Sequence, residues 1–280
     1  MNKMYTEKND YENPLITVVT VCFNSGKTIE KTLISVLNQT YSNYEYLVID
    51  GASTDNTLEV LEKYQEKFCG KLRVISEKDK GIYDAMNKGI KNSTGKIIGI
   101  LNSDDYYSDN TLELVAQKYA ETQHEYVVIN GDMERVSEKD ELIYRYHFTE
   151  NQIKNKEYFG HPSMFAAKAV YDRIGLYNQE YKLAADGEWQ YRVHEDEDVK
   201  YVLCSEVFSH MREGGASDNP KYAKQWFKER VKMKLEYNKG GKFSIYKQEC
   251  FAAVKTCIKA VMPKKLQSLL YDCVYSKKSK

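Results

Sequence analysis

An unbroken run of apolar and β-branched residues near the start of the chain, Leu15–Phe23, most constrains its fold. A strand that is apolar at every position has both faces covered, as in a parallel sheet with helices on each side. The run is also too short for a membrane span, which needs ~20 apolar residues. Further strands are predicted at 44–50, 72–76 and 97–101. The sequence therefore predicts an α/β fold with a mostly parallel central sheet flanked by helices.

Helical stripes separate these four strands. The stripes consist of Ile29, Leu33, Val36 and Leu37, then Leu58, Leu61 and Tyr64, then Ile82, Met86 and Ile90. Ligands of such sheets bind at the carboxyl ends of the strands. The residues expected at that edge are Phe23-Asn24, Asp50-Gly51, 77–81 and 102–105.

The second half of the chain is less regular. A helix capped by Asp109 and a strand at Tyr126–Asn130 are predicted, followed by strands or a hairpin within 132–147. Residues 160–165 and 201–204 are strand-like, and 185–194 is typical of a short helix.

The charge is distributed unevenly along the chain. The formal net charge is zero, which disfavours a globally basic nucleic-acid binder. Residues 221–280 nevertheless carry 16 Lys and Arg against 4 Asp and Glu, so the first 220 residues carry a net −12. This asymmetry predicts an acidic body over 1–220 and a basic helical extension over 221–280.

The spacing of the cysteines and the polarity of the first residues indicate the cellular compartment. The six cysteines are scattered, without a CxxC pair or zinc spacing, and residues 1–13 are polar. Reduced thiols and the lack of an apolar signal core predict a cytoplasmic protein.

Two acids, Asp104 and Asp105, follow the fourth predicted strand. Paired carboxylates there could bind Mg²⁺ or Mn²⁺ together with a diphosphate. The alternative is a polar turn in which one Asp caps a helix.

Three ordered segments carry a family resemblance: PLITVVTVCFNSGKTIEKTLISVLNQTYSNYEYLVIDGASTDNT, DKGIYDAMNKGIKNSTG and LNSDD. They resemble the family 2 glycosyltransferases, closely over the first 110 residues and loosely to about 220. The resemblance implies a GT-A fold, with nucleotide-sugar binding over 14–110 and the acceptor side over 111–220. It implies an inverting, metal-dependent transfer of a hexosyl or N-acetylhexosaminyl group from a nucleotide diphosphate-sugar, most simply UDP-linked.

The resemblance also implies roles for individual residues of the donor side. Phe23 would stack on the nucleotide base, which Val21 and Asn24 would flank. Asp50 or Asp79 would read the base, since Gly51 stands where the family often has an acid; Asp50 could instead bond the turn at Ser53 or Thr54. Gly81 would let phosphate approach a helix N-terminus. Asp104 and Asp105 would carry the metal and diphosphate, with His210 as a further candidate ligand.

On the acceptor side, Asp186 occupies the position of the family's catalytic base, although a helix cap is the alternative. His161, Glu188 and Trp189 are candidate acceptor contacts. His161 could instead satisfy a buried turn, and Trp189 could belong to the core. A loop after His210, at 212–217, could close over the donor.

The basic tail contains an apolar helical stripe, Phe251, Val254, Ile258 and Val261, and a second one begins at Leu266. Such a segment could lie on an anionic membrane at its inner face, beside a lipid-linked saccharide acceptor; it could also simply pack on the catalytic body. Two other functions remain open: a sugar-nucleotide nucleotidyltransferase, and a catalytically silent saccharide-binding module.

Overall fold

The computed structural model of the protein describes residues 11–215, 219–237 and 240–261, with side chains as far as residue 254. The strands in this part of the chain are β1 Ile16–Cys22, β2 Tyr44–Asp50, β3 Leu72–Ser76, β4 Ile97–Asn102, β5 Tyr106–Tyr107, β6 Val127–Val136, β7 Leu142–Tyr146, β8 Met164–Ala167 and β9 Lys200–Arg212. The helices are α1 Ile29–Leu37, α2 Thr57–Gln65, α3 Ile82–Asn92, α4 Thr111–Thr122, α5 Glu150–Lys154, α6 Lys168–Ile174, α7 Ala185–His194, α8 Ala223–Glu236 and α9 Lys242–Val261.

The strands form one mixed sheet in the order β3-β2-β1-β4-β8-β6-β9-β5, with β7 paired to β6. The pairs β3–β2, β2–β1 and β1–β4 are all parallel, which confirms the predicted α/β fold of the first hundred residues. Every residue of β1 is buried, as its uniformly apolar sequence predicts. The carboxyl ends of β1 to β4 therefore meet at one edge of the sheet.

The second half extends this sheet with antiparallel pairs. Strand β8 pairs antiparallel with both β4 and β6, whereas β6 and β9 run parallel. The predicted hairpin within 132–147 is present as β6 and β7. The predicted strand at 160–165 begins only at Met164, because Pro162 lies in a 3-10 turn, His161–Ser163, before it.

Some sequence-based details of the helices were wrong. Asn110, not Asp109, occupies the N-cap position of α4. Ile82 and Leu58 are exposed rather than part of the buried stripes. In α3 the buried face instead includes Tyr83 and Asn87 together with Met86, so a polar and an aromatic side chain face the acceptor half of the molecule.

The two C-terminal helices pack against each other. Glu249 of α9 is buried and forms ion pairs with Arg230 and Lys234 of α8, at 2.9 and 2.7 Å. No helix within the described residues is long and apolar enough to cross a membrane. The side chains of Ile258 and Val261, and the stripe beginning at Leu266, lie outside the described residues, as does the 216–217 end of the loop after His210.

Candidate functional site

A cleft of about 460 Å³ opens at the carboxyl ends of β1 to β3. Its lining consists of Phe23, Gly51, Ala52, Thr54, Lys78 and Asp79. Phe23 follows β1 with 60% of its surface exposed, which is unusual for a phenylalanine that serves only the core. A Cβ atom on Gly51 would lie 2.4 Å from Asp79 Oδ2 and 3.4 Å from the Phe23 ring. Glycine at this position thus leaves room for an aromatic face and a carboxylate side by side, which suits a planar base.

Two other predicted donor residues, Val21 and Asn24, lie in β1 and just after it. The Asn24 backbone is in the left-handed region, φ 52°, and its Oδ1 accepts hydrogen bonds from the backbone N–H groups of Thr54 and Asp55. Val21 is buried in β1 with Ile49 and Asn102 as its strand partners on either side. Asn24 therefore fixes the loop after β1 to the loop after β2.

Asp50 is buried and faces the turn rather than the cleft. Its carboxylate accepts hydrogen bonds from the Ser53 backbone N–H at 3.0 Å, the Ser53 hydroxyl at 2.5 Å and the Ser76 hydroxyl at 2.6 Å. The turn contact that the sequence analysis gave as its alternative is thus present, and Asp79 is the acid in the cleft lining. Asp79 Oδ1 also accepts from the backbone N–H of Gly81, whose φ of 123° favours glycine before α3.

The two acids after β4 have different surroundings. Asp105 is buried, and its carboxylate accepts from Asn102 Nδ2 at 3.0 Å and from the Arg212 backbone N–H at 3.1 Å. Asp104 is half-exposed, and a Cβ atom on Gly215 would lie 3.7 Å from its Oδ2. The loop after β9 therefore passes close to Asp104, and Asp104 is the acid more accessible to a ligand.

Burial raises the pKa of both carboxyls. For Asp105 the charge of Asp104 raises the pKa further, although hydrogen bonds and nearby His161 oppose the rise. For Asp104 burial outweighs the lowering effect of Arg135, His161 and Arg212. A pair of desolvated carboxyls is stabilised in its ionised form by a bound cation, so this edge is chemically suited to one.

Asp186 lies in the first turn of α7, with a hydrogen-bond partner at each carboxylate oxygen. Tyr83 Oη donates to its Oδ1 at 2.8 Å, and His161 Nδ1 lies 3.2 Å from its Oδ2. Burial favours a higher pKa, but the contacts with His161, Tyr83 and the Gly187 backbone N–H outweigh it, so the pKa of Asp186 is lowered. Asp186 is therefore ionised at neutral pH, as a general base must be.

A chain of hydrogen bonds connects Asp186 to Asp105 after β4. His161 Nε2 lies 3.3 Å from Asn102 Oδ1, and the other end of that amide donates to Asp105. Each nitrogen of the His161 ring therefore lies within hydrogen-bond distance of an oxygen atom, one of Asp186 and one of Asn102. The structure thus brings Asp105, Asn102, His161 and Asp186 into one continuous network.

Two predicted acceptor residues do not face this site. Trp189 is completely buried, stacks on Tyr171 at a centroid distance of 4.6 Å and donates its indole N–H to the Gly175 carbonyl. Glu188 is buried between Arg192 and Tyr237. Helix α7 is buried on nearly all sides, so these side chains point into the core. Trp189 thus belongs to the core, as the alternative prediction had it, and the prediction of Glu188 as an acceptor contact was wrong.

His210 lies in β9 beside β5. Its ring stacks on Tyr106 at 4.6 Å, and its nitrogens lie 3.1 Å from Ser108 Oγ and 3.1 Å from a carboxylate oxygen of Glu134. Burial lowers its pKa, opposed by Glu134. In the part of the chain described, no group of three or more His, Cys, Asp and Glu side chains is arranged to hold a metal ion.

Sequence reasoning missed Tyr83. It lies inside the second quoted segment, but the helical stripe was assigned through its neighbour Ile82. Burial and then the charge of Asp186 raise the pKa of Tyr83 well above its usual range, which keeps its hydroxyl protonated and donating. Its contact with Asp186 spans 103 residues of sequence, and no local pattern reports such a pairing.

The model of the family described as glycosyl transferase family 2 matches residues 17–175 of the chain, more than half of its length. The chain belongs to glycosyl transferase family 2. This membership favours the glycosyltransferase prediction over the nucleotidyltransferase alternative.

Relatives of this glycosyltransferase include bacterial proteins that are named for biosynthetic pathways. A PGL/p-HBAD biosynthesis glycosyltransferase of Mycobacterium bovis is 26% identical over 216 residues, which cover 77% of this chain and 83% of that protein. The putative teichuronic acid biosynthesis glycosyltransferase TuaG of Bacillus subtilis is 35% identical over 101 residues, 36% of this chain and 40% of that protein.

Solved structures share the architecture. TarS 1–349 of S. aureus in complex with UDP-GlcNAc has a TM-score of 0.61 at 19% identity and covers 85% of this chain and 72% of that one. The mannosyltransferase PcManGT of Pyrobaculum calidifontis, in complex with GDP-Man and Mn²⁺, has a TM-score of 0.60 at 17% identity, covering 98% and 83%. The likeness confirms the predicted GT-A fold.

Proposed function

We propose that this glycosyltransferase moves a hexosyl or N-acetylhexosaminyl group from a nucleotide diphosphate-sugar to a saccharide or lipid-linked acceptor, with inversion at the anomeric carbon. The observation that carries the proposal is the ionised Asp186, held by Tyr83 and His161 and joined through Asn102 to Asp105, the neighbour of Asp104. A base connected by one short network to the turn that carries the proposed leaving-group site suits a direct displacement.

The donor half of the proposal rests on the Phe23 cleft. The nucleotide base would stack on Phe23 with Asp79 beside it, and the diphosphate would extend past Gly81 toward Asp104. The TarS complex with UDP-GlcNAc favours a UDP-linked donor, while the PcManGT complex keeps a GDP-linked donor as the alternative.

A divalent cation, Mg²⁺ or Mn²⁺, fits the edge after β4. Asp104 offers a half-exposed hard oxygen ligand, whereas both oxygens of Asp105 accept protein hydrogen bonds. When bound, such an ion would offset the negative charge that the diphosphate gains on leaving. We assign Asp104 as the residue that holds it and Asp105 as the residue that positions the turn.

The chemical step follows from the position of Asp186. The acceptor hydroxyl gives its proton to the Asp186 carboxylate while its oxygen bonds to the anomeric carbon. The bond from that carbon to the diphosphate oxygen breaks with its electron pair on the diphosphate. Because the attack is in line with the leaving bond, the anomeric configuration inverts.

A nucleotide-release assay tests the function. The intact chain would be incubated with UDP-, GDP- and dTDP-sugars, Mn²⁺ and saccharide acceptors, and the product's anomeric configuration read by proton NMR. We expect acceptor-dependent release from one nucleotide class and an inverted product. A retained configuration, or no release from any donor, would contradict the proposal.

Replacing Phe23 with alanine tests the base platform. Stacking of a base on an aromatic ring is worth ~1–3 kcal/mol, so we expect the donor KM to rise by about tenfold with little change in kcat or Tm. Leu142→Ala is the matched control, because Leu142 is equally exposed on β7, away from the cleft. Equal donor KM values for both variants would remove Phe23 from the site.

We also propose that the outer face of α9 contacts an anionic bilayer, where a lipid-linked acceptor would lie. Phe243, Tyr246, Phe251 and Val254 are exposed on this helix, with Phe243 at 84% and Phe251 at 72%. The opposite face packs inward through Ile245 and Glu249. An exposed apolar face within a region of net charge +12 suits the interface of a membrane containing acidic lipids.

Vesicle flotation tests this contact. The double variant Phe243→Ser, Phe251→Ser should bind phosphatidylglycerol-containing vesicles about tenfold or more weakly than wild type, since each phenyl ring inserted contributes ~1.5–3 kcal/mol. Leu142→Ser controls for loss of an exposed apolar side chain elsewhere. Equal partitioning of the double variant and wild type, or equal binding to purely zwitterionic vesicles, would contradict the proposal.

A further inference from the structure

The geometry points to Glu229 as a positioning residue for Asp186, and so to helix α8 as a working part of the catalytic domain. This inference rests on the proposed role of Asp186. It differs from the sequence-based boundary at residue 220, which assigned α8 to a separate extension.

The Glu229 carboxylate binds the backbone segment just before α7. It accepts hydrogen bonds from three successive N–H groups: Lys182 at 2.9 Å to Oε1, and Leu183 at 2.9 Å and Ala184 at 3.0 Å to Oε2. The Gln225 side chain donates to the same Oε1 at 2.9 Å. Hydrogen bonds to an ionised acceptor are among the stronger ones in proteins, so this carboxylate fixes the segment two residues before Asp186.

The same segment is held from its other side by Tyr83. Tyr83 Oη lies 2.7 Å from the Leu183 carbonyl oxygen and 2.8 Å from Asp186 Oδ1. A displacement of residues 182–184 would therefore move both groups that Tyr83 contacts. Glu229 thus positions Asp186 through the backbone of residues 182–184, which Tyr83 also contacts.

Further contacts join α8 to the residues around Asp186. Tyr181 donates to Glu236 at 2.8 Å, and Tyr237 donates to Glu188 at 2.7 Å. On the far side of α8, the buried Glu249 of α9 pairs with Arg230, the residue next to Glu229. Helix α8 is therefore fixed between α9 and the base segment, and removing one buried partner of such a network is costly.

Loss of the Glu229 contacts is expected to raise the pKa of Asp186. Its pKa is lowered because the contacts with His161 and Tyr83 outweigh burial. The titratable groups in contact with its carboxylate are Tyr83 from α3 and His161 from the 3-10 turn. The charge of Asp186 also acts on Tyr158 and Tyr177, which lie before and after that turn in the chain. If loss of Glu229 lets the segment shift and weakens these contacts, burial remains and the pKa of Asp186 rises. The acid limb of the kcat profile then moves to higher pH.

The experiment compares Glu229→Gln, Glu229→Asp and Glu180→Gln in the intact chain, with Asp186→Asn as reference. Glu180 is the matched control, since it joins the same segment to α8 through an exposed pair with Lys232. We expect Glu229→Gln to lower kcat about tenfold and to raise the pH of the acid limb by about half a unit or more, with UDP affinity within about twofold of wild type. Glu229→Asp, which keeps the charge, should recover part of kcat, and Glu180→Gln should behave as wild type.

A kcat loss in Glu229→Gln that is equal at every pH, or that UDP affinity shares, would overturn the inference. If Glu229→Gln does not fold, Glu229→Asp decides: a kcat loss in that variant that is equal at every pH overturns the inference as well. The proposed function fails separately, if Asp186→Asn transfers sugar as fast as wild type. Normal behaviour of Glu229→Gln beside an inactive Asp186→Asn would refute the positioning role alone.

Discussion

Replacing Asp186 with asparagine is expected to lower kcat for sugar transfer by about 10³-fold, because a positioned general base contributes ~10²–10⁴. The amide matches the carboxylate in shape and can still accept from Tyr83, so the change removes the proton acceptor with little disturbance of α7. Asp186 does not line the proposed donor cleft around Phe23, so the UDP affinity should stay within about twofold of wild type.

Steady-state transfer rates and calorimetric UDP binding measure these two quantities in the same preparation. Asp172→Asn is the matched control, since Asp172 is exposed on α6 and pairs only loosely with Lys168 at 3.3 Å. A kcat for Asp186→Asn within tenfold of wild type would show that another group removes the proton. A parallel loss of UDP affinity would show that Asp186 serves donor binding instead.

Asp104→Asn is expected to lower kcat by about 10²–10³-fold, the range for removing one stabiliser of developing charge. It should also abolish activation by Mn²⁺. In the wild type, burial raises the pKa of both Asp104 and Asp105, and protons compete with a cation for the same oxygens. The apparent affinity for Mn²⁺ should therefore weaken as pH falls from neutral, and this pH dependence should be flatter in the variant.

Mn²⁺ titration followed by electron paramagnetic resonance, at several pH values, measures the affinity directly. Asp109→Asn is the control, an exposed aspartate a few residues along the same loop. The variant Asp105→Asn distinguishes the roles of the two acids. Because Asp105 accepts hydrogen bonds from Asn102 and Arg212, its replacement should lower Tm and leave the Mn²⁺ affinity nearly unchanged. Undiminished Mn²⁺ binding by Asp104→Asn would contradict the assignment of Asp104.

The sequence predicts β1, β2 and β4 well because each is a short, mostly apolar run that is buried at nearly every position, so local composition is sufficient. Strand β3 lies at the sheet edge and is only partly buried, and its place in the alternation of strands and helices predicts it. The second half depends on pairs that local patterns do not encode. Strand β5 has two residues and pairs with β9 about a hundred residues later, and the parallel pairing of β6 with β9 skips β7 and β8.

The candidate site divides in the same way. The residues at the strand ends, Phe23, Asp79 and Asp104, could be located from the rule that ligands bind at the carboxyl edge. The direction of the Trp189 side chain could not be predicted, because the sequence pattern of an aromatic residue beside an acid on a short helix is the same for a cleft and for the core. Tyr83 and Glu229 reach the Asp186 region from distant segments, so only the folded chain reveals them.

We expect one site to bind the departing diphosphate at Asp104 and the attacking hydroxyl at Asp186. A crystal structure of the intact protein with UDP, Mn²⁺ and a non-transferable UDP-sugar measures it most directly. The expected result is uracil stacked on Phe23, the metal on Asp104, and the anomeric carbon facing Asp186 with space for an acceptor oxygen between them. A nucleotide bound elsewhere, or a sugar whose anomeric carbon faces away from Asp186, would contradict it.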